Sequence, residues 1–350
     1  MSDNSFKLVL AVETSCDDTS VALVKADGYV VSVLSANQDL EHKDFGGVVP
    51  EIAGRNHSLN LLPLMDKLLK STDTQWEDID GLAVTNRPGL VGSLLEGLVS
   101  IKTIAIAKQL PFVGVNHLEA HLLAPFLKDE SYEPPQDFQY PYVALAVSGG
   151  HTQLYVVESF GRYKILGKTL DDAAGEAFDK FGKLLGLGFP GGIKVDQHAK
   201  EGDVKKYNFP RSLIREDNYN FSFSGLKASA QRLIKKIGQD EKRQFIHSLC
   251  ASYQEAIVDV LLFKLKKACE ELNIPRAVVT GGVSANSRLR ARAKIWQEES
   301  GVQVVIPPIR YCTDNAAMVG YVGIERLNRG EVSPQDLKPM PRLDESEFLA

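Results

Sequence analysis

The sequence predicts an α/β fold built twice, two lobes of one plan flanking a ligand cleft, and three observations carry that prediction. The first is a hairpin run near the start. KLVLAVE, a polar turn TSCDDTS, VALVKADG and YVVSVLSA are apolar stretches of strand length separated by turn residues. The second is its echo from Tyr140, where YPYVALAV, SGGHTQ, LYVVES and YKILGKTL follow in the same order. The third is a later pair. IDGLAVT leads through NRPGLVG into a helix over Ser93–Lys108, and PRAVVT leads through GGVSANS into a helix from about Arg288. A repeat of this length is a duplicated domain and not a short-period solenoid. Strands alternating with helices make each copy a layered α/β unit. Two such units would set their polar turns on facing sides of a cleft, the usual place for a ligand.

The 350 residues divide, on this reading, into an N-terminal lobe over 1–127, a C-terminal lobe over 128–330 and an irregular tail over 331–350. The last helix of the second lobe is free to pack back on the first. Lys128–Tyr140 (KDESYEPPQDFQY) is polar and Pro-containing, a surface linker. From Gln231 to Asn273 the pattern is helical and amphipathic, with Phe245, Leu249, Ile257, Val260 and Leu261 facing inward. Pro334, Pro339 and Pro341 keep the tail irregular.

Hydrophobic residues make up 44% and charged residues 24%, a globular balance. No run approaches the roughly 18 apolar residues of a membrane span. MSDNSFKLVLAVE lacks the basic start and cleavage site of a signal peptide, so a cytoplasmic protein without membrane association is expected. Cys16, Cys250, Cys269 and Cys312 have no paired spacing and read as reduced thiols. A net charge of −5 gives no global field for nucleic acid, so RNA contact would need a local basic patch or a partner. Candidates are Arg288, Arg290, Arg292 and Lys294, the pair Lys205 and Lys206, and the pair Lys235 and Lys236, although most such runs are solvated helix faces.

Four turns offer ligand chemistry. ETSCDDTS presents Glu13, Thr14, Ser15, Asp17, Asp18 and Thr19, whose hydroxyls, amides and carboxylates suit phosphate, a metal-bound water or a proton. VSGGHTQ places Ser148, Gly149, Gly150, His151 and Thr152 at the equivalent turn of the second copy, where the paired glycines let backbone approach a ligand. GFPGG, with Ile193 to Asp196 behind it, is the third. TGGVSANS is the fourth and ends with Asn286 at a helix entry that favours anions, or serves simply as an N-cap. Each turn alone is explained by turn composition; four of them after strands suggest a bound nucleotide. None matches a P-loop or a dinucleotide fingerprint.

VNHLEAHLLAP adds a metal question. At about 100° per residue His117 and His121 project within about 40° of each other, whereas Glu119 lies about 160° away. A zinc-peptidase helix has its Glu directly after the first His. Here the carboxylate points off the metal face and cannot easily activate water there. Such a pair is more often a surface feature than a ligand set. A third ligand would come from elsewhere, and RYCTDNAAMVG offers Asp314. Two His and one carboxylate with open positions suit iron or zinc as a Lewis acid.

Together ETSCDD, FGGVVPEIAGRNH, NHLEAH, VSGGHTQL, DDAAGEAFDK, GFPGG, FSFSGLK, TGGVSANSRLR and TDNAAM resemble, in order and spacing, the tRNA N6-adenosine threonylcarbamoyltransferase family, formerly described as O-sialoglycoprotein endopeptidases. The resemblance runs from about Leu8 to about Arg326. It implies an actin-like, sugar-kinase-like (ASKHA) fold. It implies transfer of the threonylcarbamoyl group from threonylcarbamoyl-AMP to N6 of adenosine 37 in tRNAs reading ANN codons, with release of AMP. It implies one divalent metal per subunit, Fe2+ favoured and Zn2+ the alternative, on His117, His121 and Asp314. The family's substrate positions fall on Ala146, Val147, Ser148, Gly149, Gly150, Asp179, Gly192, Asp196 and Asn286, and its acidic pair on Asp17 and Asp18. Asp17 would orient or deprotonate the attacking amine. A TsaB-like paralogue, a TsaE-like ATPase and a homodimer or heterodimer are the implied partners. There are two departures from the pattern: Asp18 stands where the family usually has Glu, and the pair Asn86 and Arg87 stands where it has small residues. The competing classes are a metallopeptidase, an ATP-dependent kinase of the same fold and a non-catalytic scaffold. The scaffold would predict loss of a ligand, yet all three ligands are present.

Overall fold

The computed structural model describes residues 5–45 and 47–342. These fall into two compact units, one formed by residues up to Pro134 together with those from Arg310 onward, the other by Pro135–Ile309. No helix among the described residues is long and apolar enough to cross a membrane.

The first unit holds strands β1 (Leu8–Glu13), β2 (Thr19–Lys25), β3 (Val30–Ala36), β4 (Gly81–Arg87) and β5 (Phe112–Asn116) in the order β3-β2-β1-β4-β5. The hairpin pairs are antiparallel, while β1–β4 and β4–β5 are parallel. Helices α1 (Asp39–His42), α2 (Pro50–Ser71), α3 (Val91–Lys108) and α4 (His117–Leu123) complete its N-terminal part.

The second unit repeats the plan with β6 (Tyr142–Val147), β7 (Thr152–Ser159), β8 (Arg162–Lys168), β9 (Arg276–Thr280) and β10 (Gln303–Val305), ordered β10-β9-β6-β7-β8. Its pairings have the same directions. The duplication predicted from the echoes is therefore present, and each copy adds a fifth strand, FVGVN or QVV, that the pattern did not single out. Five helices pack here: α5 (Ala174–Leu185), α6 (Gly191–Ala199), α7 (Ser224–Gln244), α8 (Ile246–Glu271) and α9 (Ser287–Ser300). Leu249, Ile257, Val260 and Leu261 are buried as expected. Phe245 is not. It sits at the break between α7 and α8, half-buried, with the Lys206 ammonium 3.3 Å from its ring centroid.

After the short turn α10 (Ile309–Cys312) the chain enters α11 (Ala316–Asn328), which packs on β1, β2, β4 and β5 of the first unit. Side chains alternate across a strand. Leu10, Val12, Leu82 and Val84 enter the core with Leu61, Met65, Leu98 and Ile101 of α2 and α3. Ala11 and Ala83 turn the other way, toward α11. The helix meets them with glycines. A Cβ at Gly320 would lie 2.6 Å from the Val24 Cγ2, and one at Gly323 would overlap the Ala83 Cβ.

The tail is irregular through the last described residue, yet it is docked. Ser333 N donates to the Phe112 carbonyl and Met340 N to the Asn86 carbonyl; the Asn86 amide donates to the Lys338 carbonyl. Asn86, one of the two departures noted above, thus anchors the tail, and its Oδ1 accepts from Arg87 at 2.7 Å.

Gly323→Val is expected to push α11 off the sheet at a cost of about 1–3 kcal/mol, the range for overpacking a close contact. A thermal melt checks this; an unchanged midpoint would show that the small-residue contact is not limiting.

Candidate functional site

Asn116 ends β5 and caps α4, its Oδ1 accepting from Leu118 N at 2.9 Å and more weakly from Glu119 N at 3.5 Å. The cap starts the helix at His117 and puts His121 one turn further on the same face. Their rings stand 4.6 Å apart, edge to face. At the other end of the sequence Asn315 caps α11, accepting from Met318 N, and leaves Asp314 just outside the helix. The Asp314 Oδ1 lies 3.1 Å from His121 Nε2 and 3.4 Å from His117 Nε2. One ligand atom from each of the three residues lies within 4.8 Å of the others. Two imidazole nitrogens and a carboxylate, mostly buried, are a donor set that fits iron or zinc with positions left open.

Behind His117 sits Glu13, at the end of β1 and fully buried. Its Oε2 is 3.0 Å from His117 Nδ1 and accepts from the Thr85 hydroxyl at 2.6 Å, while Oε1 accepts from Ser15 N. With Nδ1–H donated to a carboxylate, Nε2 is the atom presented to Asp314, the arrangement that orients a metal-bound histidine. Burial pushes the Glu13 carboxyl up, but the charge and hydrogen bond of His117 more than offset it, and the net direction is down. Burial likewise opposes the charge on Asp314, and the two histidines hold it well below the usual carboxylate range. His117, between two carboxylates, is raised despite burial; His121 is lowered, chiefly by burial. The Nδ1 of His121 is buried without a hydrogen-bond partner.

Glu119 does turn off this face. It is buried, and its Oε2 pairs with Arg326 of α11 at 2.7 Å.

Asp17 and Asp18 lie in the β1–β2 turn, which two helices hold from behind. His57 of α2 and Ser93 of α3 both reach the Cys16 carbonyl, each at 3.0 Å, and His57 Nδ1 lies 2.8 Å from the Thr19 hydroxyl. A carbonyl can only accept, so His57 donates from Nε2 and its Nδ1 accepts from Thr19. Asn37 donates to Asp18 at 2.9 Å. Burial, then the charges of Asp314 and Asp17, raise the Asp18 carboxyl to about 7.

In the second unit Ala146 and Val147 are buried in β6, so only their backbone can meet a ligand. Gly149 and Gly150 are exposed with open space around them. Gly175, in the first turn of α5, packs so closely on Ser148 and Gly149 that a Cβ would lie 2.5 Å from the Ser148 carbonyl oxygen. Asp179 of α5 accepts from Gly192 N at 2.9 Å, and Asp196 of α6 accepts from the Ser287 hydroxyl at 2.8 Å. Asn286 caps α9 through Arg288 N and Leu289 N, and its amide donates to Gln254 at 2.7 Å. The predicted positions therefore form one linked polar rim along the turns of this unit. The motifs DDAAGEAFDK and FSFSGLK join nearby: Asp171 accepts from the hydroxyls of Ser222 and Ser224, and Asp172 pairs with Lys180 and Lys227.

Sequence reasoning missed the parts played by Glu13, His57 and Ser93. Glu13 belongs to the quoted first turn and His57 closes FGGVVPEIAGRNH, but nothing along the chain shows what their side chains face.

Comparisons with known proteins bear on the family of the chain. The family model for TsaD, tRNA N6-adenosine threonylcarbamoyltransferase, matches residues 29–321. A curated protein of that name from Bdellovibrio bacteriovorus is 58% identical over 340 residues, covering 97% of this chain and 99% of its own. Another, from Thermotoga neapolitana, is 46% identical over 335 residues, covering 96% and 99%. Among solved structures, HypF from T. kodakarensis superposes with a TM-score of 0.59 at 11% identity over 93% of this chain and 47% of that one. Component A of the Acidaminococcus fermentans (R)-2-hydroxyglutaryl-CoA dehydratase gives 0.53 at 11% identity, over 92% and 98%. These distant likenesses bear on fold alone, and they put the duplicated α/β architecture in the actin-like, sugar-kinase-like (ASKHA) class. The match along nearly the whole chain decides the family: this chain belongs to the TsaD family of tRNA N6-adenosine threonylcarbamoyltransferases.

Proposed function

We propose that this chain transfers the threonylcarbamoyl group of threonylcarbamoyl-AMP to N6 of adenosine 37 in tRNAs reading ANN codons, forming threonylcarbamoyladenosine and AMP. The observation that carries the reading is the 58% identity, over 97% of the chain, to a curated enzyme of that name. His117, His121 and Asp314 would hold one divalent metal, Fe2+ ahead of Zn2+, which supplies Lewis-acid polarisation at the carbamoyl group. The N6 lone pair attacks the carbamoyl carbon, the new C–N bond forms and the bond to the phosphate oxygen breaks. AMP leaves with that electron pair, so no strong general acid is needed. The N6 proton passes to a carboxylate of the first turn. Asp18, raised toward neutrality, is suited to accept it, and Asp17 beside it to orient the amine. The backbone of Ala146–Gly150, with Asp179, Gly192, Asp196 and Asn286, would bind the adenylate.

The reaction would take place in the cytoplasm with a TsaB-like paralogue and a TsaE-like ATPase, the chain working as a dimer. An exposed apolar stripe offers the paralogue a surface: Leu59 and Leu62 on α2, with Val91, Leu95 and Val99 on α3. A peptidase reading lacks its base, because Glu119 is engaged by Arg326. A kinase reading is not favoured by the family match along nearly the whole chain.

Reconstitution with tRNA, threonine, bicarbonate, ATP, the adenylate-forming enzyme and the partner proteins should yield threonylcarbamoylated tRNA. His117→Ala and Asp314→Ala should lose both metal and product. Full transfer by either variant, with unchanged metal content, would remove the proposed centre.

Glu13 acts through His117. Glu13→Gln should weaken metal affinity by roughly 10–100-fold, the usual effect of losing a carboxylate behind a metal-bound histidine. Metal titration of the folded variant measures this, and wild-type affinity would contradict the assignment.

If Asp18 takes the proton, the transfer rate should rise with pH as the carboxyl ionises, along a limb at about 7 that moves lower when a divalent ion on Asp314 offsets that residue's charge. Asp18→Asn should lower the rate and flatten that limb; a pH–rate profile in which the limb survives assigns the base elsewhere.

A further inference from the structure

The acceptor substrate of the proposed reaction is a polyanion, whereas the chain carries a net charge of −5. RNA must therefore meet a local group of cations that no carboxylate already neutralises. The Arg-rich helix α9 does not supply one. Arg288 and Arg292 pair with Glu255, Arg292 also pairs with Asp259, and Arg290 donates to the Pro307 carbonyl.

A different group is unspent. A cavity of about 580 Å³ in the second unit is lined by Arg211, Arg215, Glu216, Ser229 and Arg232. Arg211 is engaged by Asp259 and the Phe209 carbonyl. Arg215 and Arg232 are exposed and make no ion pair or hydrogen bond among the described residues. The same holds for Lys235 and Lys236, further along α7. On that helix Ser229, Arg232 and Lys236 fall within an arc of about 60°, and Lys236 stands about 6 Å along the axis from Arg232. The positive face therefore runs out of the cavity in a line. In the other direction a second cavity of about 430 Å³ shares Ile214, Arg215 and Glu216 but is lined also by Asp217, Glu270 and Glu271, so the positive track follows α7 and does not extend that way. A row of unpaired cations leaving the larger cavity along α7, with Glu216 the one acid lining that cavity, fits a chain of phosphates better than a single anion.

We propose that this groove, with Arg215, Arg232 and Lys236 as its contacts, takes the phosphodiester backbone of the tRNA substrate. The identity of the RNA rests on the transferase reading. The contacts are to charge and carry no base recognition, so they position the RNA and do not select it.

Equilibrium binding of an unmodified tRNA transcript with an ANN-reading anticodon to the full chain, followed by fluorescence anisotropy across a salt series, tests this. Each phosphate contact contributes about 0.7–0.9 to the slope of log affinity against log salt, which is roughly sixfold in affinity at 0.1 M salt. The triple variant R215A/R232A/K236A should lower the slope by about 2 or more and weaken binding by at least tenfold, with metal content and melting midpoint unchanged. Arg232→Ala alone, at an exposed side chain without partners, should weaken binding severalfold, and Arg232→Lys should restore most of it. Unchanged affinity and slope in the triple variant overturn the proposal. So does loss of paralogue binding with tRNA binding intact, which would make the groove a protein contact. Salt-dependent tRNA binding through these cations, in a chain that forms no threonylcarbamoyladenosine, would leave the groove standing and remove the transferase reading.

Discussion

Helix α11 can lie close on the sheet of the first unit because its own contact positions bring no side chain into the gap. Gly320 and Gly323 face Ala11, Val24 and Ala83, and a side chain at either glycine would overlap what it meets. Strand alternation makes this possible at no loss to the main core. Leu10, Val12, Leu82 and Val84 of β1 and β4 go to the α2–α3 side, and Ala11 and Ala83 are left for the helix. Asp314 precedes that helix directly, so the depth at which α11 sits sets where the carboxylate falls. A metal centre demands placement to a fraction of an ångström. Here the placement of the proposed ligand Asp314, 193 residues from His121, is a matter of backbone approach, not of a long, adjustable side chain.

The electrostatics of the cluster follow from the same burial. Glu13 and Asp314 flank His117, so two carboxylates share one imidazole in a site where Glu13 is fully buried and Asp314 partly so. The carboxylates favour a cation, while burial, with the charge of His117 adding to it, keeps His121 low. The field of the cluster also reaches the first turn. Asp314 is among the charges that raise Asp18, so the ligand and the candidate base share one field. A divalent ion on Asp314 would weaken that repulsion.

Much of this was legible in the chain because it rests on local patterns. The strands of both copies, the turns and the helices over Ser93–Lys108 and from Arg288 declare themselves by apolar period and punctuation. His117 and His121 share a helix face by arithmetic, which also places Glu119 opposite. What the pattern hides is pairing at a distance. Glu13 reads as the end of a strand until Thr85 and His117 are folded against it, and Asn86 reads as an oddity until the tail is bound to it. The cations of α9 look like an RNA-binding face because Glu255 and Asp259, their partners, lie more than thirty residues away on another helix. Phe245 fails for a local reason: it falls at the α7–α8 break, where the helical period that predicts burial has stopped.

The displacement of Glu119 within HLEAH finds its physical sense in α4 as a whole. One face of this short helix offers His117 and His121 to Asp314, which precedes α11. The opposite face offers Glu119 to Arg326, near the end of α11. The same two segments are thus joined twice, once through the ligand set and once through an ion pair that needs no metal. A buried pair of this kind is a weak source of net stability but costly to break from one side, since the partner charge is left uncompensated. Its value here is geometric. It ties α4 to α11 on the side away from the histidines, which face Asp314. A glutamate directly after His117 would lie nearer the metal face and leave Arg326 without this partner. In the observed spacing the carboxylate is withdrawn from water activation, the role it has in a peptidase, and joins the two helices instead.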